Sequence, residues 1–256
     1  VQISKNQVFL SGDLAHPDWQ GIEAFDPEIC VHAAWIATPG IYLKSEENAL
    51  YRDWTLCFAK RLLSLGLQKF VGLGTCLEYE SSAHALFETA EPARNPSPYA
   101  LAKRECFAGL ADLVPSPEVL VWMRIFHAYG PGQNPKRLLS WVHREASRGN
   151  SIILQRPRNV VDYVHVEDIA SGVLSCLGPE ACGCYNVGTG KPRAILEVAN
   201  LVAGRLGGEV VIQEANRGEA DCRFADIARL KAQNWKPKHD LETVLRTWPK
   251  TGTPTV

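Results

Sequence analysis

The chain has almost no net charge: 27 lysines and arginines stand against 28 aspartates and glutamates in 256 residues, a formal balance of −1. A chain so balanced sets up no long-range field to gather nucleic acid or an anionic membrane surface, so neither is expected as a partner. It also lacks any unbroken apolar run of about 18 residues, the length a membrane-spanning helix needs. The first fifteen residues lack the charged, apolar and small-residue sections of a secretory leader. A cytoplasmic location is the expectation that follows. The eight cysteines, at 30, 57, 76, 106, 176, 182, 184 and 222, show no paired spacing and sit mostly in apolar segments, which suits reduced core thiols. Cys182-Gly-Cys184 has no second Cys/His pair of ligand spacing nearby, so no metal site is expected. What remains, 46% hydrophobic and 21% charged, can bury a full core in one large domain or two modest ones.

The chain is organised around the stretch from Phe70 to Lys103. Phe70 to Leu73 is a short apolar run ending in Gly74 and Thr75, which reads as a buried parallel strand delivering a hydroxyl at its carboxyl end. Sheets of this kind bind ligands there. Pro98 then opens a helix on which Tyr99 and Lys103, four apart, share one face. A phenol ionises near pH ~10, and a fixed positive charge beside it favours phenolate, so the pair makes an acid/base device. Tyr-x-x-x-Lys alone also fits an amphipathic helix with a solvated lysine. Order and spacing favour the chemical reading: strand, Gly-Thr, Tyr79 four residues past the threonine, an acidic loop, then Ser97-Pro98-Tyr99-x-x-x-Lys103.

In these residues the chain resembles the extended short-chain dehydrogenase/reductase family, the NAD(P)-dependent nucleotide-sugar epimerases, dehydratases and ketoreductases. The resemblance implies Thr75, Tyr99 and Lys103 as the catalytic group, NAD or NADP as cofactor, a nucleotide-linked sugar as substrate and a homodimer as assembly. A second match is Arg124-x-Phe126-x-x-Tyr129-Gly130-Pro131-Gly132. There His127 takes the place of an asparagine that often contacts substrate in relatives, with a structural ring as its alternative.

Along the chain, Val8 to Leu10 reads as a brief strand ending in Asp13-Leu14, and Ile29 to Trp35 as a continuous buried strand. By the resemblance Asp13 and Leu14 lie against adenine, and Ala33 and Ala34 pass the nicotinamide ribose. Tyr99, Lys103 and Phe126 complete the cofactor set. Asp13 also suits a turn carboxylate, and His32 a core histidine. The turn at Thr38-Pro39-Gly40 offers Thr38 as a substrate contact. Residues 45–66 read as a crossover helix, with Asp53 where relatives usually carry asparagine. Cys76 and Leu77 follow the catalytic threonine on the substrate side. Val161 stands where relatives commonly carry an arginine that pairs with a nucleotide diphosphate. Arg156 or Arg158 is offered in its stead, and Arg217 by a displaced Arg-x-Gly-Asp match. Gly188-x-Gly190 lacks the remaining residues of a phosphate loop and reads as a turn.

The alternation of buried strands and helices predicts an α/β fold, a Rossmann-type doubly wound parallel sheet with a smaller C-terminal substrate-binding part. The expected division is 1–130 for the remainder of the NAD(P)-binding domain, with 160–180 returning to it, and 131–256 mainly for substrate. No Gly-x-Gly-x-x-Gly occurs, and the first recognisable strand already ends in the Asp-Leu of the family's third. The fold's first strands are therefore expected upstream, in a protein about 50 residues longer. The activity expected is epimerisation or keto reduction, most often at carbon 4 of the sugar in this family. A reductase of a small ketone or aldehyde and a non-catalytic binding relative are the alternatives.

Dehydration is not expected. Dehydratases of the resembled family place an Asp-Glu pair immediately after the threonine, and neither Cys76 nor Leu77 shuttles protons efficiently near neutral pH. Incubation with nucleotide-hexoses and NAD should yield no 4-keto-6-deoxy sugar; detecting that product by NMR would contradict the reading.

Overall fold

The computed structural model describes residues 7–206, 210–212 and 219–248. In chain order the elements are α1 (Trp19–Phe25), β1 (Ile29–His32), α2 (Glu47–Ser64), β2 (Lys69–Thr75), α3 (Pro98–Leu113), β3 (Leu120–Ile125), β4 (His127–Tyr129) and α4 (Leu138–Ser147). There follow β5 (Ile152–Leu154), β6 (Val160–His165), α5 (Val166–Ser175), β7 (Gly183–Val187), β8 (Pro192–Ala194) and α6 (Ile195–Arg205). The chain closes with β9 (Val210–Ile212), β10 (Cys222–Arg223), α7 (Ala228–Lys231) and α8 (Leu241–Thr247).

The first sheet runs β1-β2-β3-β7, every pair parallel. Its central strands are apolar because both faces are covered. Ala59, Leu62, Cys106 and Leu110 of α2 and α3 pack with Phe70 and Trp122 on one face. Val173 of α5 and Cys176 at its end, with Leu230 and Trp235, pack with Val71, Val121, Met123 and Val187 on the other. Helices on both faces of a parallel sheet are the doubly wound arrangement. Local chemistry sets the helix ends. Ser97 accepts the Ala100 N–H at 3.2 Å with Pro98 in the first turn of α3, and α2 stops before Gly66 at φ 97°.

The remaining strands form a sheet β10-β6-β4, with β8 antiparallel on β6, and a parallel pair β5-β9. Leu139, Val142, Ile152, Val198, Val202 and Trp248 give this part its own core. Over 160–180, β6 pairs with β4, β8 and β10 while α5 packs against the first sheet, which β7 then joins.

Two expected strands differ. Val8–Leu10 is irregular, with Val8 and Phe9 exposed, because no strand among the described residues pairs with it. The run Ile29–Trp35 is strand only to His32, and Ile29 and Val31 are exposed rather than buried. Among the described residues β1 pairs with β2 alone, so it forms an edge.

Gly72 sits under the Trp122 indole: a Cβ there would come within 2.5 and 2.6 Å of ring carbons. Both residues are held in register across β2 and β3, so neither can step aside. Gly72→Ala should therefore destabilise the fold by about 1–3 kcal/mol through overpacking. A urea unfolding curve with an unchanged midpoint would show that the strand yields.

Candidate active site

The first sheet presents the carboxyl ends of its strands along one edge, where register aligns His32 with Gly72 and Thr75 with Ile125. Thr75 ends β2 and starts a single tight turn, Cys76–Glu78. Its hydroxyl accepts the Leu77 N–H at 3.3 Å, while Glu78 Oε1 accepts the Thr75 N–H at 2.8 Å. From the neighbouring α3 come Tyr99 and Lys103. Lys103 is 5% exposed, and its Nζ donates to the Leu73 carbonyl of β2 at 2.7 Å. The three expected catalytic residues therefore meet at one strand end. The loop after β1 closes over them: the Trp35 ring lies 3.7 Å from Lys103 Nζ, and Tyr42 meets the Tyr99 ring edge-on at 4.9 Å. Trp35 is held in turn by its Nε1 donating to Asn48, a residue buried at the start of α2.

Burial dominates the electrostatics. It pulls the Lys103 ammonium down to about 8, against the opposing influence of Cys106 and Glu78. It pushes the Tyr99 phenol above its ordinary value; Tyr42 pushes the same way and the Thr75 hydroxyl opposes. The expected lowering of Tyr99 by Lys103 is not what the structure shows. The ammonium stands 6.0 Å from the phenol ring centroid, and desolvation outweighs it. His32, stacked on Phe70, is held down to about 4 by burial and by Lys103, which makes it a neutral core histidine.

A family profile settles the kinship, since that of the NAD dependent epimerase/dehydratase family matches residues 2–188. The chain belongs to this family. It is 25% identical over 238 residues to the UDP-glucuronate 4-epimerase of Thermodesulfobacterium geofontis, a match covering 88% of this chain and 72% of that protein. The UDP-glucose 4-epimerase of Thermotoga maritima, solved with UDP-glucose, is similar with TM-score 0.78 at 22% identity over 95% of this chain and 84% of that one. The UDP-glucose 4-epimerase of Thermus thermophilus, solved with NAD, is similar with TM-score 0.75 at 26% identity and the same coverage.

The other residues singled out by the family resemblance divide by position. Asp13, Leu14, Ala33 and Ala34 line one cavity of about 410 Å³ between β1, Phe58 and the segment 10–22. Asp13 also closes a turn, its Oδ1 accepting the His16 N–H at 2.7 Å. Phe126 and Cys76 are core residues rather than surface contacts, and Leu77 packs against the same cluster. Burial pushes the Cys76 thiol up to about 12. His127, beginning β4, has a buried Nδ1 without a hydrogen-bond partner among the described residues and is held down to about 4 by desolvation. Thr38, Arg156 and Arg158 are exposed on loops, and Asp53 is exposed against Arg52. Arg217 lies outside the described residues. Sequence reasoning missed Trp35, Tyr42 and Asn48, which carry no motif. It also passed over Glu78, although Thr75-x-x-Glu78 has the spacing of a capping box.

His165, Glu167 and His239 come together elsewhere in a way the sequence did not announce. His239 lies between Glu167 and Asp168, at 3.1 and 3.0 Å, and stacks on His165 at 4.1 Å. Stacked rings do not aim in-plane lone pairs at one point, and the Glu167 N–H already occupies His165 Nδ1. The cluster is best described as an imidazole held by two carboxylates.

Lys103 gives the site a pH signature. Its folded-state pKa, about 8, lies below its ordinary 10.5, so the unfolded chain binds more protons in between. The burial penalty is complete below pH 8 and fades toward 10.5, so this lysine makes stability rise with pH across that window. Urea unfolding of the parent and of Lys103→Met, compared from about pH 7 to about 10.5, should show the stability of the parent relative to the variant rising across this window; parallel curves would refute the burial of a titrating amine.

Proposed function

We propose that the chain acts as an NAD(P)-dependent epimerase or ketoreductase on a nucleotide-linked sugar, at carbon 4. The observation that carries this is the meeting of Thr75, Tyr99 and Lys103 at the carboxyl end of β2 in a chain of this family. The relatives bearing 4-epimerase names support the substrate class. A nicotinamide cofactor, when bound, supplies the hydride chemistry. The residues present suit one. Asp13, Leu14, Ala33 and Ala34 would hold its adenine and ribose side, and Lys103, with one hydrogen bond among the described residues, has N–H bonds left for ribose hydroxyls. We assign residues 1–130, with a return over 160–180, to that half and the remainder of 131–256 mainly to substrate.

Tyr99 Oη gives its proton to the sugar oxygen in the reductive direction and receives it in the oxidative one. Burial holds the phenol protonated, the form that reduction needs. Thr75, whose hydroxyl accepts from Leu77, is hydrogen-bonded to the Tyr99 phenol and so stands where it can orient that oxygen. On the substrate side His127 offers a ring nitrogen that has no partner among the described residues. The arginine expected at 161 is replaced by a buried valine, but both ladder neighbours of Val161 are arginines, Arg193 and Arg223. We assign the diphosphate contact to Arg223, which lies close enough to His127 to affect its ionisation. Reduction of a small ketone is the second reading, favoured by the apolar side chain at 161.

One experiment separates these readings. Parent and Tyr99→Phe are assayed on UDP- and dTDP-sugars and on simple ketones with NAD(H) and NADP(H). Turnover should be confined to nucleotide-sugars, and Tyr99→Phe should lower it about 10²–10⁴-fold while leaving cofactor affinity nearly intact. A variant turning over within about twofold of the parent would remove Tyr99 from the mechanism.

A further inference from the structure

We propose that the buried Glu78–Arg124 pair is the positioning device of this site: it fixes the Thr75 amide, and with it the hydroxyl beside Tyr99, and places a negative charge beneath Tyr99 and Lys103. Its part in turnover rests on the reading above, but its geometry does not.

Glu78 is 2% exposed and fully engaged. Oε1 accepts from the Thr75 N–H at 2.8 Å and from Trp122 Nε1 at 3.1 Å, while Oε2 accepts from Arg124 Nε at 2.7 Å. Arg124 then donates to Tyr79 Oη at 2.8 Å and to the Glu88 carbonyl at 2.9 Å, and Tyr79 donates to Asn186 at 2.7 Å. Thr75 is thus anchored from below by a chain of bonds that spans β2, β3 and β7.

A buried ion pair is a poor source of stability, because desolvation cancels most of the attraction. A neutral acceptor would cap Thr75 equally well, so the charge itself calls for a role. Tyr99 is faced by Tyr42 from the loop, and by Thr75, Cys76 and Glu78 from the strand end. Lys103 is faced by Glu78, by Cys106 on its own helix and by His32 on β1. With the thiols and phenols neutral and His32 uncharged, Glu78 is the carboxylate that keeps the lysine protonated in a dry site, and Arg124 limits how strongly it does so.

The test follows the ionisation of Lys103 by NMR of the full chain carrying ¹³C-labelled lysine side chains, the signal being assigned with Lys103→Met. Glu78→Gln keeps an acceptor for Thr75 and removes the charge, so Lys103 should titrate lower by about half a pH unit or more. Arg124→Met uncovers the charge and should move it upward by a similar amount. The double variant E78Q/R124M replaces the pair with neutral groups and should again titrate lower, and it takes the place of any single variant that fails to fold. Shifts under about 0.2 pH unit in all three, or shifts of one sign in both single variants, overturn the proposal. In assays with nucleotide-sugar, Glu78→Gln should lower kcat about tenfold or more with KM within about threefold, because Thr75 and Tyr99 act on the reacting oxygen and not on binding. A parent inactive on every nucleotide-sugar would end the epimerase reading and leave the lysine shifts standing. Unmoved lysine titration in an active parent would end this one alone.

Discussion

Two missing β-carbons hold the site together. Gly72 and Gly74 leave the surface of β2 bare, and a Cβ at either would run into the Trp122 indole. Trp122 can therefore lie flat across the neighbouring strand, 1% exposed, with its one donor satisfied by Glu78. Phe107 of α3 stacks on its ring at 5.6 Å, which brings the helix down onto the sheet. Only at that depth can Lys103, one turn earlier on the helix, place its ammonium on the Leu73 carbonyl. A side chain on either glycine would lift the tryptophan, and the helix with it.

Close packing has an electrostatic consequence. Lys103 and His32 are pushed down, and Tyr99, Cys76 and Cys106 up, with burial the first cause for each. All five shifts favour the neutral form. A phenol that keeps its proton suits donation in the reductive direction, and an amine that can lose one near neutrality suits passing one on. At Tyr99 desolvation, and not the charge of Lys103, is the dominant force, and sequence spacing carries no information about how dry a helix face becomes.

What was legible in the sequence is what short-range chemistry decides. The buried run of β2, the Ser97-Pro98 start of α3 and the Gly66 stop of α2 all appear where local signals place them. The proposed catalytic trio was legible for the same reason, as spacing along one helix and at one strand end. Pairing was not legible. Val8–Leu10 has the composition of a strand without a partner among the described residues, and Ile29 and Val31 are exposed because β1 forms an edge. Trp35 and Tyr42 reach the site through the path of a loop, and no periodicity encodes that path.

Gly188-x-Gly190 shows how a motif can mislead and still matter. Its backbone serves a buried carboxylate: Asp162, 0% exposed, accepts the Thr189 and Gly190 N–H groups at 2.8 Å each, the Thr189 hydroxyl at 2.5 Å and the Ala225 N–H at 3.1 Å. A Cβ on Gly188 would come within 2.6 Å of that carboxylate, so the glycine is required by close approach. Asp162 belongs to β6 of the second sheet, and the turn it grips follows β7 of the first. His127 on β4 pairs with Tyr163, the residue after Asp162, while Ile125, two residues before His127, is in register with Thr75. The carboxylate therefore locks the strand pair carrying His127 to the sheet carrying Thr75. Burial penalises its charge, and four hydrogen bonds offset that cost at the place where the two sheets must keep a fixed register.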